Sequence, residues 1–177
     1  MQTITLKNGE TMLIRKVTPN DSEAILAYLK TVGGESGNMT FGSEGIPFDV
    51  SQEREFLTKL AEMATSAIFC GVVDDAIITL ANINAPTRGR LAHTSEIGIS
   101  VLKRYWNQGV GTAIIFQLIE FARATGVIKV IHLKVRADNG GAIHVYERAG
   151  FQHIGRYAKQ LCIDGEYYDT LMMNLYL

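Results

Sequence analysis

The segment Ile99–Gly126, ISVLKRYWNQGVGTAIIFQLIEFARATG, decides how this chain is read. It opens as an apolar run of strand type and passes through a polar turn. It then sets Gly109 and Gly111 one residue apart where a long helix begins. Glycine costs a helix about 1 kcal/mol relative to alanine, so the pair must serve a purpose there. A helix N-terminus carries about half a positive charge and N–H groups with no intrahelical partner. Bare backbone lets an anion reach those donors, which gives NQGVGT the form of a phosphate cradle. A tight strand-to-helix turn that needs positive φ would explain the same glycines.

Two nucleotide fingerprints fail on this segment. G-x-G-x-x-G needs a third glycine where Ile114 stands, and no acid closes the next strand, where KVRADN begins basic. A Walker A loop needs Gly-Lys-Ser/Thr, and none follows. Beyond the glycines, Ile114, Ile115, Leu118, Ile119 and Ala122 recur at helical spacing until Gly126 stops the helix.

Outward from this centre the chain alternates strand and helix patterns. TMLIRKVT reads as a strand, and Thr18-Pro19 opens a helix with Ile25, Tyr28, Leu29 and Val32 on its apolar face and Gly33-Gly34 at its end. Residues 33–49 form a long Gly- and Ser-rich loop, of a length that is often functional. Ser51 caps a second helix with Phe56, Leu60 and Met63 on one face. AIFCGVV and AIITLANI flank an Asp74-Asp75 turn, and HTSEIGISV is the next strand. After the central helix come the strand KVIHLKVRA, a short helix closed by Gly150, and a C-terminal hairpin turning at Asp164-Gly165. This order predicts one α/β domain over residues 1–177. Its mixed, mostly antiparallel sheet has about seven strands, flanked on both faces by about four helices.

Composition narrows the function classes. A net charge of −1 supplies no basic field for nucleic acid or anionic membrane. No apolar run is long enough to span a bilayer, and MQTITLKNGE lacks the basic and apolar regions of a signal peptide. A cytoplasmic protein is expected. Cys70 and Cys162 have no metal-ligand spacing and read as small hydrophobes in a reduced compartment. His132, His144 and His153 share no metal spacing either and read as surface or packing residues. No metal site is expected.

Downstream of the glycines, VRADNGGAIHVYERAGF places Asn139, Ala142, Tyr146 and Gly150-Phe151 in the pattern N-x-x-A-x-x-x-Y-x-x-x-G-F. Together with Gly109 and Gly111 this resembles the GNAT superfamily of acyl-CoA-dependent N-acyltransferases, whose phosphate loop reads Q/R-x-x-G-x-G/A. Trp106 stands where that loop usually has Gln or Arg. The resemblance implies acetyl-CoA as co-substrate and direct transfer to an amine in a ternary complex. It implies that the main chain of Ile99, Ser100 and Val101 holds the pantetheine arm, that Gln108, Gly109, Val110, Gly111 and Thr112 hold the pyrophosphate, and that Asn139 binds the arm by its side chain. Tyr146 would be the general acid toward the leaving thiolate. Its place on the apolar face with Ala142, Val145 and Ala149 gives it a packing role as well.

Amide formation from a thioester needs a neutral amine, a stabilised oxyanion and a proton for the thiolate. A lysine-type amine has a pKa of about 10.4, so a base is wanted. Glu96 interrupts the apolar strand EIGISV, which makes it the candidate base or else a glutamate at a sheet edge or strand start facing solvent. His93 is an alternative. The acceptor, a small-molecule or peptide amine, is expected over the first two helices and the loop 33–49. There Glu35, Glu44 and Asp49 could attract a cation, with DGEYYD near the C-terminus lining the other side. A homodimer is compatible with the sequence. A non-catalytic acyl-CoA-binding or sensing module on the same fold is the alternative function.

Overall fold

Turn chemistry sets the strand boundaries. Asp74 and Asp75 (φ 47° and 62°) and Asp164 and Gly165 (φ 51° and 82°) have the paired positive φ of two-residue hairpin turns. The computed structural model describes residues 1–177. Its elements in chain order are β1 (Gln2–Thr5), β2 (Thr11–Lys16), α1 (Ser22–Glu35), α2 (Val50–Ala61), β3 (Ala67–Val73), β4 (Ala76–Asn84), β5 (Thr94–Val101), α3 (Val110–Thr125), β6 (Val130–Arg136), α4 (Gly140–Arg148), β7 (Gln152–Ile163) and β8 (Glu166–Tyr176). All eight strands lie in one sheet, ordered β1-β2-β3-β4-β5-β6-β8-β7.

The sheet has one strand more than the sequence suggests. β1 pairs antiparallel with β2 through a turn at Gly9 (φ 90°). Its four residues QTIT bury only Ile4, and that partly, so no apolar alternation marks it.

The first helix also differs from expectation. Asp21 receives the N–H and hydroxyl of Thr18 at 2.6 and 2.9 Å and a two-pronged contact from Arg15 at 2.7 and 2.8 Å. The Arg15 guanidinium is the main cause that holds the Asp21 carboxyl down at about 2. The helix then runs through Gly33-Gly34 to Glu35. Gly33 does not end it. A Cβ there would strike the main chain of Gly42, so glycine lets the following loop press against the helix. Helix α2 begins two residues earlier than Ser51 implies: Asp49 caps it, exchanging hydrogen bonds with Gln52 at 2.8 and 2.9 Å. Its buried side is Glu53, Leu57 and Leu60, whereas Phe56 and Met63 are exposed.

Helices α1 and α2 cover one face of the sheet, where Ile25, Tyr28, Val32, Leu57 and Leu60 pack on Cys70, Ile77 and Leu80. Helix α3 covers the other face and buries Val110, Ile114, Ile115, Leu118, Ile119 and Ala122, with Tyr146 of α4 in the same cluster. Strand β4, covered on both faces, is buried from Ile77 to Ala81. This is why it reads as a continuous apolar run rather than an alternating one.

One pair of strands breaks the antiparallel pattern. β5 and β6 are parallel, joined by α3, and pair only at Thr94–Val130, Ser95–Ile131 and Glu96–His132. Beyond that point both continue, to Val101 and Arg136, while β5 stays bound to β4 and β6 to β8. The sheet is therefore opened between β5 and β6.

Candidate active site

The opening in the sheet is the floor of a cleft of about 940 Å³. Ile97, Gly98, Ile99 and Ser100 of β5 line one side, Lys134, Val135 and Arg136 of β6 the other, and Asn139, Ala142 and Tyr146 of α4 close it. The register fixes which main-chain groups are open. Leu102 donates its N–H to the Ile78 carbonyl, so by alternation Gly98 and Ser100 turn toward β4 and Ile99 and Val101 toward the opened edge. Ser100 therefore does not offer its main chain. Its hydroxyl accepts from Tyr28 Oη at 2.9 Å, on the α1 side. The Val101 carbonyl takes the Trp106 indole N–H at 2.8 Å, leaving its N–H open. Trp106, the departure from the family pattern, thus ties the end of β5 to the turn that follows.

That turn delivers the glycine pair. Asn107 (φ 62°) and Gly109 (φ 91°) bend the chain into α3, and no side chain caps the helix. Gln108 donates to the Tyr105 carbonyl and accepts from Lys7, whereas the N–H groups of Gly109, Val110, Gly111 and Thr112 have no partner in the chain. A Cβ on Gly109 would meet nothing within 4 Å, so this glycine is required for its positive φ and for open access. A Cβ on Gly111 would come within 3.9 Å of Val145, the residue before Tyr146, which places the bare helix start against α4. Four free donors at a helix start are what a pyrophosphate needs.

Asn139 is the cap of α4, its Oδ1 accepting the Ala142 N–H at 3.2 Å, which leaves the amide nitrogen free. Tyr146 follows Ala142 on the cleft-facing side of α4. It is 8% exposed, its ring lies 5.8 Å from that of Phe151, and burial alone pushes its hydroxyl up to about 12.

Glu96 stands at the fork, on an interior strand rather than a sheet edge. Its side chain is 50% exposed, with Lys134 Nζ at 3.5 Å and His132 Nε2 at 3.9 Å. His132, read from sequence as a surface or packing residue, is a wall of the cleft. His93 lies outside the cleft, where its carbonyl takes the N–H groups of Lys129 and Val130.

The acidic loop residues do other work. Glu35 accepts the Lys103 N–H at 2.6 Å, Glu44 accepts that of Gly42 at 2.7 Å, and Asp49 caps α2; none lines the cleft. The DGEYYD segment likewise stays outside. Asp169 binds the Lys159 N–H and Arg156 Nε, bracing a bulge in β7 that turns Gln160 and Leu161 into the cleft instead. Arg136 pairs with Asp138 and donates to the Gly37 carbonyl at 2.8 Å, tying β6 to the loop after α1.

Sequence reasoning missed Glu53. It lines the cleft at 2% exposure, and its Oε2 is buried with no hydrogen-bond partner. Burial pushes its carboxyl upward. Its spacing to Leu57 and Leu60 was the signal that this acid faces inward.

A mixed sheet opened between two parallel strands, with an uncapped helix start beside the opening, matches the arrangement that the resemblance implies. Residues 40–151 match the model of the Acetyltransferase (GNAT) family, and the chain belongs to that family. It is 33% identical over 101 residues to the L-amino acid N-acetyltransferase AaaT of Escherichia coli (strain K12), covering 57% of this chain and 62% of that one. The curated relatives are matched over 34% to 62% of their own lengths. The fold is similar to a GNAT-family acetyltransferase from Streptococcus pneumoniae (TM-score 0.91, 29% identity, 94% of this chain and 99% of that one). It is also similar to yncA from Salmonella typhimurium with acetyl-CoA (TM-score 0.80, 17% identity, 94% of each chain). No helix is long and apolar enough to cross a membrane, and no group of three or more His, Cys, Asp or Glu gathers as a metal site.

Proposed function

We propose that residues 1–177 form one catalytic unit that transfers an acetyl group from acetyl-CoA to a primary amine by direct attack. The observation that carries this reading is the opened edge of β5. It leads through the turn at Asn107 to four unpaired N–H groups at Gly109–Thr112, where Gly111 approaches α4 beside Tyr146, itself a lining residue of the cleft. Those groups fit a thioester joined through pantetheine to a pyrophosphate. The main chain of Ile99 and the Val101 N–H would hold the arm, helped by the free amide nitrogen of Asn139, and Gly109–Thr112 would hold the pyrophosphate. Bound acetyl-CoA supplies the activated acetyl group.

The chain's own residues supply the proton transfers. Glu96, a half-exposed carboxylate at the fork, takes the proton of the incoming ammonium, directly or through water. Tyr146, protonated at neutral pH, gives its proton to the departing thiolate. The acceptor enters past the loop after α1, and amino acids are one candidate class, because the Escherichia coli relative is named for L-amino acids. Two free thiols, Cys70 buried and Cys162 exposed, fit a cytoplasmic setting. The test is release of CoA thiol from acetyl-CoA across a panel of amines and amino acids. Amine-dependent thiol release supports the reading. Tight acetyl-CoA binding with no turnover on any amine would favour a sensing module instead.

A further inference from the structure

The charged groups of the cleft are matched except one. Glu96 faces Lys134 and His132, and Arg136 is held by Asp138. Glu53 has no counter-charge and no hydrogen bond, although it is 2% exposed and lines the cleft. A buried carboxyl with an orphaned oxygen is costly, and a leucine of similar volume would fill the same place without that cost. One turn along α2 from Glu53, Phe56 meets Phe48 edge to face at 6.2 Å, and both rings line the cleft while remaining partly exposed. An acid at the end of an apolar passage is the reverse image of a cationic nitrogen on a hydrocarbon chain.

We propose that Glu53 is a specificity-determining residue, taking a second cationic nitrogen of the acceptor, distinct from the nitrogen that is acylated. The acceptor is then a compound with two amine-type groups separated by an apolar spacer. This inference rests on reading the cleft as an acetyltransferase site. Glu53 lies on α2, on the face of the sheet that also carries Glu96, so one molecule can address both carboxylates. A cation beside Glu53 would supply the donor its Oε2 lacks and offset the desolvation that raises its pKa.

The experiment compares α,ω-diamines of increasing length with monoamines of equal length, in wild type, Glu53→Gln and Glu53→Leu. CoA thiol release gives kcat and KM. Calorimetry with CoA present gives diamine binding without requiring turnover. Wild type is expected to prefer one diamine length over its monoamine by about tenfold or more in kcat/KM. Glu53→Gln is expected to lose that preference through KM rather than kcat, with acetyl-CoA affinity retained. Glu53→Leu is expected to lose it too while melting no lower than wild type, which separates recognition from folding. An undiminished diamine preference in both variants, an equal loss for diamines and monoamines, or no diamine binding to wild type would each overturn the proposal. Should wild type acylate no amine, the acetyltransferase reading fails, and calorimetric diamine binding that disappears in Glu53→Gln would still uphold the role of Glu53.

Discussion

The two ends of the cleft are built by different means. The proposed CoA end is main chain: the open edge of β5 and the free N–H groups of Gly109–Thr112. These come from one continuous stretch of sequence. The proposed acceptor end is lined by side chains from remote segments, Glu53 on α2, Glu96 on β5, His132 and Lys134 on β6 and Gln160 in the β7 bulge. Backbone recognition needs only glycines and a strand register. Side-chain recognition needs the whole fold in place. Mutations at the first end should therefore act on cofactor affinity, and those at the second on turnover and acceptor choice.

The largest expected effect lies between the two ends. Tyr146→Phe keeps the ring and its packing on Phe151 and removes a hydroxyl that binds nothing in the chain. Turnover should fall about 10²-fold or more, with melting temperature and acetyl-CoA affinity nearly unchanged. Wild-type turnover would leave Tyr146 only its packing role. Glu96→Gln should cost up to about 10²-fold near neutral pH, and the defect should shrink as pH rises toward the amine pKa of about 10.4, where the base is no longer needed. A pH–rate profile of the two variants separates them: Tyr146→Phe should not recover. A pH-independent loss in Glu96→Gln would make it an orienting group.

At the CoA end, acetyl-CoA at a hundredfold excess over its Kd should stabilise the fold by about 2.7 kcal/mol. A thermal melt with no shift would remove the cofactor assignment. Gly109→Val forces a β-branched residue to φ 91°, a strain of about 1–3 kcal/mol, and puts methyl groups where a phosphate would approach. Acetyl-CoA affinity by calorimetry should drop about tenfold or more. Unchanged affinity would return this glycine to a turn-making role.

The smallest effect belongs to the root of α1. Asp21 holds its proton more weakly folded (about 2) than the ordinary carboxylate at 3.8. Its contribution is then complete above about pH 4 and lost as pH falls toward about 2. Because the pair with Arg15 is partly solvated, it is on the order of 1 kcal/mol. Urea midpoints of wild type and Asp21→Asn should differ at neutral pH and converge near pH 2.

The same division explains what could be read from the sequence. Gly109 and Gly111 were legible as a bare helix start from turn chemistry, and Asn139 and Tyr146 stood out through the pattern that carries the family resemblance. The strand β5 and the buried face of α3 followed from apolar period. The acceptor wall was not legible. Glu35, Glu44 and Asp49 looked like an acidic funnel, yet each caps or closes a turn. Glu53 shares a helix face with Leu57 and Leu60, but that spacing does not say that the face opens on a cleft. Gln160 reaches the cleft through a bulge at Lys159 (φ 53°), which no alternation pattern announces. Strand β1 was missed because it buries almost nothing.

The most direct test is amide hydrogen exchange, residue by residue, with and without saturating acetyl-CoA. If the opened edge of β5 and the start of α3 hold the co-substrate, the amides of Ile99, Val101 and Gly109–Thr112 should gain protection. Those of Gly98 and Ser100, already turned to β4, should change little. Protection that appears elsewhere, with Gly109–Thr112 exchanging as fast as before, would contradict this placement of the co-substrate.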